Sequence, residues 1–173
     1  MKHYTDGYSL VEVLVSVALI GTLASLTLPN LSRVAAQNRL DSSMYTILKT
    51  MHLARAVAVS NSTYVTTCPL ISGSCTKSWN NKIFTFNDLN ANLSLDENEQ
   101  IIKVLDKINI NDELSYPRQA ITYRPNGSIS FMQSGSFIYC NKTYPRLTGN
   151  QITVSQVGRV RIRDSDRCTT PDL

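Results

Sequence analysis

The sequence predicts an α+β fold: one long N-terminal helix followed by many short antiparallel strands. Three observations predict it. Residues 8–28 form an apolar run broken by a single charge, Glu12. Between positions 40 and 58 apolar residues recur at three- and four-residue steps, the period of an amphipathic helix. Beyond position 62 the apolar period drops to two, with Gly, Pro and Asn between the runs, as in strands joined by turns. With 173 residues, 42% apolar and 17% charged, the chain can build a core and is neither collagen-like nor disordered.

The first run reads YSLVEVLVSVALIGTLASLTL. Its 21 residues would span about 30 Å as a helix, the thickness of a bilayer core. A cleaved secretory signal needs a basic start, a shorter apolar stretch and small residues at the cut. Lys2 and Thr22-Leu23-Ala24 meet this weakly, and Glu12 inside the apolar stretch fits poorly. A plain anchor leaves an intramembrane carboxylate, which is costly, without a reason. Gly21 and Pro29 weaken the helix locally.

The amphipathic stretch carries Leu40, Met44, Ile47, Leu48, Met51, Ala54 and Ala58 on its apolar stripe. Arg33, Arg39, Asp41, Lys49 and Arg55 fall largely off it. Such a stripe packs on a sheet, and the helix is expected to end near Ser60-Asn61-Ser62. Strands are expected at 64–67, 82–86, 120–123, 128–131, 137–139, 151–154 and 158–163. Pro125-Asn126-Gly127 marks a turn, so 120–123 and 128–131 read as a hairpin.

Only two histidines are present, His3 and His52, and no CxxC occurs, which excludes a His-rich or zinc-ribbon metal site. The four cysteines, at 68, 75, 140 and 168, fit a pair of disulfides and an oxidising compartment. Of three possible pairings, Cys68–Cys75 would close a short loop and Cys140–Cys168 would tie the C-terminal tail to a strand; this is the pairing expected. Asp88, Asn90, Asn92, Ser94, Asp96 and Glu99 match the spacing of a calcium loop. Leu93 stands where such a loop needs Gly, and a strand precedes it, so a polar surface loop is expected instead. Walker, GxGxxG, GxSxG and HExxH patterns are missing, so the expected protein is not an enzyme and takes no cofactor or metal.

Charge is unevenly placed. Residues 88–113 hold seven acids against Lys103 and Lys107. Residues 115–163 hold no acid but carry Arg118, Arg124, Lys142, Arg146, Arg159, Arg161 and Arg163. In a strand, Arg159, Arg161 and Arg163 project to one side while Val160 and Ile162 face the other. Their spacing, about 6.5–7 Å, is close to that of successive phosphates along a nucleic-acid strand. The planar guanidinium can hold a phosphate with two hydrogen bonds. The asymmetry fits a solvated face, a face for a neighbouring acidic subunit or a nucleic-acid footprint; as a footprint the row would track the phosphates, with Lys142 and Arg146 extending it and Gly158 leaving room for the ligand. The competing reading is an edge strand kept soluble by its charges.

Gly7-Tyr8-Ser9-Leu10-Val11-Glu12 resembles the type IV prepilin signal: a short polar leader ending in Gly, then a hydrophobic residue, then Glu at the fifth mature position. Tyr8 stands where the family usually has Phe. Pro29 falls at mature position 22, where these pilins commonly kink. The resemblance implies cleavage after Gly7 by a prepilin peptidase and methylation of the new N-terminus at Tyr8. It implies a leader at 1–7, a membrane and filament-core helix at 8–29, and a periplasmic globular domain at 30–173. Glu12 would pair with the α-amino group of a neighbouring subunit during assembly.

Ala54-Arg55, Ala58, Val65-Thr66-Thr67-Cys68, Trp79, the 86–90 and 96–99 segments and 121–127 resemble the GspH/FimT family of minor pilins and pseudopilins. Gly158-Arg159-Val160-Arg161-Ile162-Arg163 is similar to the GRxRxR element of that family's DNA-capturing branch. The resemblance implies a type IV pilin-like fold, other pilins and DNA as partners, and an inner-membrane origin followed by display on a pilus. A structural subunit of a type II secretion system, or a priming subunit that binds no DNA, is the alternative.

Overall fold

The structure is a computed structural model that describes residues 8–145, 147, 149–165, 167 and 168, with the backbone alone at 26–30 and 150. It divides into two units, Met1–Ala36 and Gln37–Leu173. Helix α1 (Leu10–Ser60) supplies the described helix of the first and opens the second. It ends where the Ser60-Asn61-Ser62 cluster predicts, with Ser62 in a left-handed conformation at φ 51°. The helix assignment is uninterrupted at Gly21 and at Pro29.

Ser9 begins α1 as an N-cap: its hydroxyl accepts the Glu12 N–H at 3.2 Å. Glu12 lies in the first turn, where a carboxylate meets the positive end of the helix dipole. The Ser-x-x-Glu spacing is thus a local helix-start signal. Leu10, Val11, Leu14, Val17, Ile20 and Leu23 are each more than half exposed. Among the described residues no helix is long and apolar enough to cross a membrane.

In the second unit the apolar stripe of α1 is buried as its period predicts. Leu40, Met44, Met51, Ala54 and Ala58 are almost or fully inaccessible, each larger side chain contributing about 1.5–3 kcal/mol of burial. Among the described residues nine strands follow: β1 (Val65–Ile71), β2 (Ser74–Cys75), β3 (Ile83–Asn87), β4 (Ile101–Leu105), β5 (Asp112–Ser115), β6 (Ile121–Tyr123), β7 (Gly135–Asn141), β8 (Gly149–Val154) and β9 (Val160–Ser165). One sheet runs β2-β1-β3-β4, with β6 also paired to β1; the other runs β5-β7-β8-β9. All pairings are antiparallel.

Trp79, Tyr116 and Phe137 form an aromatic cluster within the core, with centroids 4.4–5.4 Å apart. The indole N–H of Trp79 donates to the Arg118 carbonyl at 2.7 Å, so its polar edge is satisfied on burial. Burial pushes the Tyr139 phenol up to about 12 and also raises Tyr116 and Tyr123. Unfolded phenols ionise near pH 10, so this stabilisation is present below that pH and lost as pH rises toward the folded values. Thermal melts should show a lower Tm at about pH 11 than at about pH 8; an unchanged Tm would contradict this account.

One expectation is corrected here, and strands are found where none was expected. Residues 128–131 are not a full strand: a short hairpin forms through a single bridge, Tyr123 to Ile129, flanked by the Arg124 N–H to Ser128 carbonyl and Ser130 N–H to Thr122 carbonyl bonds. The chain also meets the β8–β9 loop there, the Ile129 N–H donating to the Gln156 carbonyl, and pairs with β6 no further than Ser130. The sequence also hid β4 and β5. β4 alternates poorly because most of it is exposed, and β5 opens on a buried aspartate.

Both disulfides form as expected, Cys68–Cys75 and Cys140–Cys168. The second joins β7 to the residues just after β9, across β8. Gly149 on β8 makes room, since a Cβ there would overlap the Cys168 sulfur. The bridge spans 28 residues, and a loop of that size implies about 3–4 kcal/mol on a chain-entropy estimate. Replacing both Cys140 and Cys168 by Ser should lower unfolding free energy by about that amount; a loss under about 1 kcal/mol in a chemical melt would show that the strand is held otherwise.

Candidate nucleic-acid interface

β9 is an edge strand, paired on one side to β8. Its register sets Thr153 opposite Arg161, Gln151 opposite Arg163 and Val154 opposite Val160. Val160 is buried, Ile162 is half-buried, and Arg159, Arg161 and Arg163 are exposed, so the expected alternation holds. The three arginines line a shallow groove of about 270 Å³ together with Thr153, Ser155 and Val157. That lining contains three guanidiniums and no carboxylate.

The floor beside the arginines is polar and neutral. Gln151 donates through Nε2 to the Ser136 hydroxyl at 2.9 Å and to the Thr153 hydroxyl at 3.2 Å. Ser136 and Thr153 share a further hydrogen bond at 3.1 Å. Among the described residues, no ion pair is seen at Arg159, Arg161 or Arg163, unlike Arg39 with Asp112 and Lys82 with Asp106. A larger groove of about 370 Å³ is lined by Arg39, Asp106 and Lys107 among others, and its mixed charge suits a polyanion less well. Ser155, Thr153 and Val157 were missed by sequence reasoning, because a groove between paired strands has no signal in one strand's pattern.

The β8–β9 loop is a three-residue turn. The Gly158 N–H donates to the Ser155 carbonyl at 2.8 Å, and Ser155 N–H donates to the Arg159 carbonyl at 2.9 Å. Gly158 sits at φ 76°, the left-handed position such a loop requires. A Cβ on Gly158 would also overlap the Gly127 carbonyl oxygen. Its role is therefore to seat the loop against the 124–127 turn, not to clear space for a ligand as expected. Gly158→Ala should cost about 1–3 kcal/mol through strain and overlap; a variant as stable as the parent in thermal melts would refute this.

Lys142 is exposed and follows β7, its N–H donating to the Asn111 carbonyl at 2.8 Å. It does not line the arginine groove. Arg146 and Gly7 lie outside the described residues, and of Pro29 only the backbone is described. Tyr8 is exposed, one residue before the N-cap.

The six loop positions with calcium spacing bond to one another and to the sheet. Asp88 is buried and accepts from the Thr66 hydroxyl at 2.7 Å and from the N–H groups of Asn92 and Leu93. Asn90 and Asn92 donate their amides to Asp96, and Glu99 accepts from the N–H of Leu89 and of Asp96. Leu93 itself takes φ 62°, held by Asp88 on one side and by the Cys75 N–H on its carbonyl. The sharp turn expected to need glycine is thus made without it.

Residues 46–158 match the protein family described as type II transport protein GspH. Among solved structures, the chain is similar to the type IV minor pilin FimU of Pseudomonas aeruginosa PAO1. The TM-score is 0.58 at 19% identity, over 73% of this chain and 89% of that one. It is also similar to the minor pseudopilin EpsH from the Type 2 Secretion System of Vibrio cholerae, with TM-score 0.53 at 10% identity, over 73% of this chain and 97% of that one. None of the curated proteins compared matches it. The long N-terminal helix packed on antiparallel sheets is the type IV pilin-like fold shared with both. With well over half of its residues matched, the chain belongs to the type II transport protein GspH family.

Proposed function

We propose that this chain is a minor type IV pilin, resembling FimT, that captures DNA largely without regard to sequence for uptake in natural transformation. The observation that carries this reading is the row of Arg159, Arg161 and Arg163 along an exposed edge strand, in a groove without acid. Phosphate contacts of this kind position DNA but read no bases. Guanidiniums stay charged at all physiological pH, and no histidine lines the groove. Binding is therefore expected to fall steeply with salt and to stay flat between about pH 6 and 8. Gel shifts of the full chain in detergent test both; binding that ignores salt sinks the reading. Lys142 and Arg146 are proposed as outlying contacts.

The N-terminal reading supports the same assignment. The prepilin peptidase cuts between Gly7 and Tyr8 and methylates Tyr8. The exposed apolar side chains of the first part of α1 then sit in the inner membrane, with the globular domain in the periplasm, and later in the filament core among other pilins. Glu12 meets the α-amino group of a neighbour, and Gly21 and Pro29 let the helix adjust on leaving the membrane. Intact-mass analysis of membrane-extracted protein should give a chain starting at methylated Tyr8. A start at Met1 or after Ala24 excludes it.

A second reading is favoured by the family match and by the likeness to EpsH: a structural, non-enzymatic minor pseudopilin of a type II secretion system, or a priming subunit, with no DNA bound. Deletion separates the two. Loss of transformation with intact secretion supports the first, and the reverse supports the second.

A further inference from the structure

The β8–β9 loop at the end of the arginine groove is bonded to the 129–133 turn, a tip that carries exposed apolar side chains. Val157, which lines the groove, is 63% exposed, and Phe131 and Met132 are 78% and 60% exposed. The tip is anchored to the β8–β9 loop. The Ile129 N–H donates to the Gln156 carbonyl at 3.1 Å, and the Gln156 side-chain amide donates to the carbonyls of Ile129 and Ser130 at 2.7 and 3.2 Å. On its other side the tip is fixed through Gln133. The Tyr116 hydroxyl donates to the Gln133 carbonyl, and the Thr122 N–H to its Oε1, both at 2.6 Å.

Between these anchors Met132 holds φ 60°, a conformation uncommon outside glycine. Scattered single apolar residues on a surface need no explanation, but neighbouring ones on a doubly anchored turn mark a contact. The charge beside them selects the partner. The groove carries three arginines and no acid, and the whole segment from 115 to 163 is free of acids. A cationic groove next to an exposed aromatic ring is the arrangement that binds single strands, because every unpaired base offers a face to stack while duplex bases do not.

We propose that Phe131 is a stacking platform for an unpaired base of single-stranded DNA whose phosphates lie along Arg159, Arg161 and Arg163, with Val157 and Met132 completing the apolar contact. This rests on the DNA-binding reading above and adds a choice of strand state to it. Fluorescence anisotropy of the full chain in detergent, with an oligothymidylate of about 20 nucleotides and a blunt duplex of equal length, tests it. Phe131→Ala should weaken oligothymidylate binding about tenfold and leave duplex binding within about twofold, while Phe131→Trp restores the first. In the Phe131→Trp variant, oligothymidylate should also quench the added indole fluorescence.

An equal loss for both ligands, or no loss for the single strand, overturns the stacking role while leaving duplex binding by the arginines standing. If Phe131→Ala instead loses filament assembly with both affinities unchanged, the tip is a contact between pilins and the inference fails. Failure of the parent chain to bind either DNA at low salt removes the DNA reading and this inference together.

Discussion

Exchanging Arg159, Arg161 and Arg163 together for Gln should weaken DNA binding on the order of a hundredfold at low salt and abolish it at physiological salt. Each exposed cation near a polyanion contributes about 1 kcal/mol, so three account for about two decades in Kd. The slope of log K against log salt should also shrink by about 3, one for each phosphate no longer neutralised. The fold should survive. All three side chains are exposed, and the core contacts of the strand belong to Val160 and Ile162. Transformation should fall with binding. A folded triple variant that shifts DNA like the parent at equal salt would move the site elsewhere, to Lys142 or to the cationic residues outside the groove.

The largest stability effect should come from a different arginine. Asp112 is buried at the start of β5 and holds a network around its carboxylate. Arg39 of α1 donates from Nε at 2.8 Å and from Nη2 at 3.2 Å. The Asn141 amide donates at 2.6 Å and the Tyr139 hydroxyl at 3.2 Å. The bond to Asp112 raises the Arg39 pKa further above its already high value, so the cation is permanent. Arg39→Ala would strand a buried carboxylate and should cost about 3–5 kcal/mol, or roughly 10 °C in Tm for a chain of this size. Adding Asp112→Ala should cost less than the two single effects summed, because the stranded charge is gone. A coupling below about 0.5 kcal/mol in that double-mutant cycle would show that the pair does not act as a unit.

Much of this molecule can be read along the chain. The apolar period of three and four placed Leu40, Met44, Met51 and Ala58 inward, and they are inward. The turn cluster at Ser60-Asn61-Ser62 ends α1. Alternation in GRVRIR separated three exposed arginines from the inward-facing Val160 and half-buried Ile162. These features depend only on bond geometry within one helix or strand, so a neighbour cannot rearrange them. The expected cysteine pairing, one of three the spacing allowed, is the one the folded strands bring together.

What lay outside reach was decided by partners distant in the chain. β4 is an exposed edge whose two faces differ little, so its sequence carries no period. β5 opens on a charge that belongs inside only once Arg39, 73 residues away, has arrived beside it. Gly158 looked like clearance for a ligand, and proved to be clearance for the Gly127 carbonyl of a turn about thirty residues earlier. The sequence by itself determined which side chains share a face, because that is set by local backbone geometry. Only the tertiary structure decided what lies opposite each face. Pairing distant segments costs loop-closure entropy that no local preference reveals, and burial and hydrogen bonding repay it only when the whole unit is assembled.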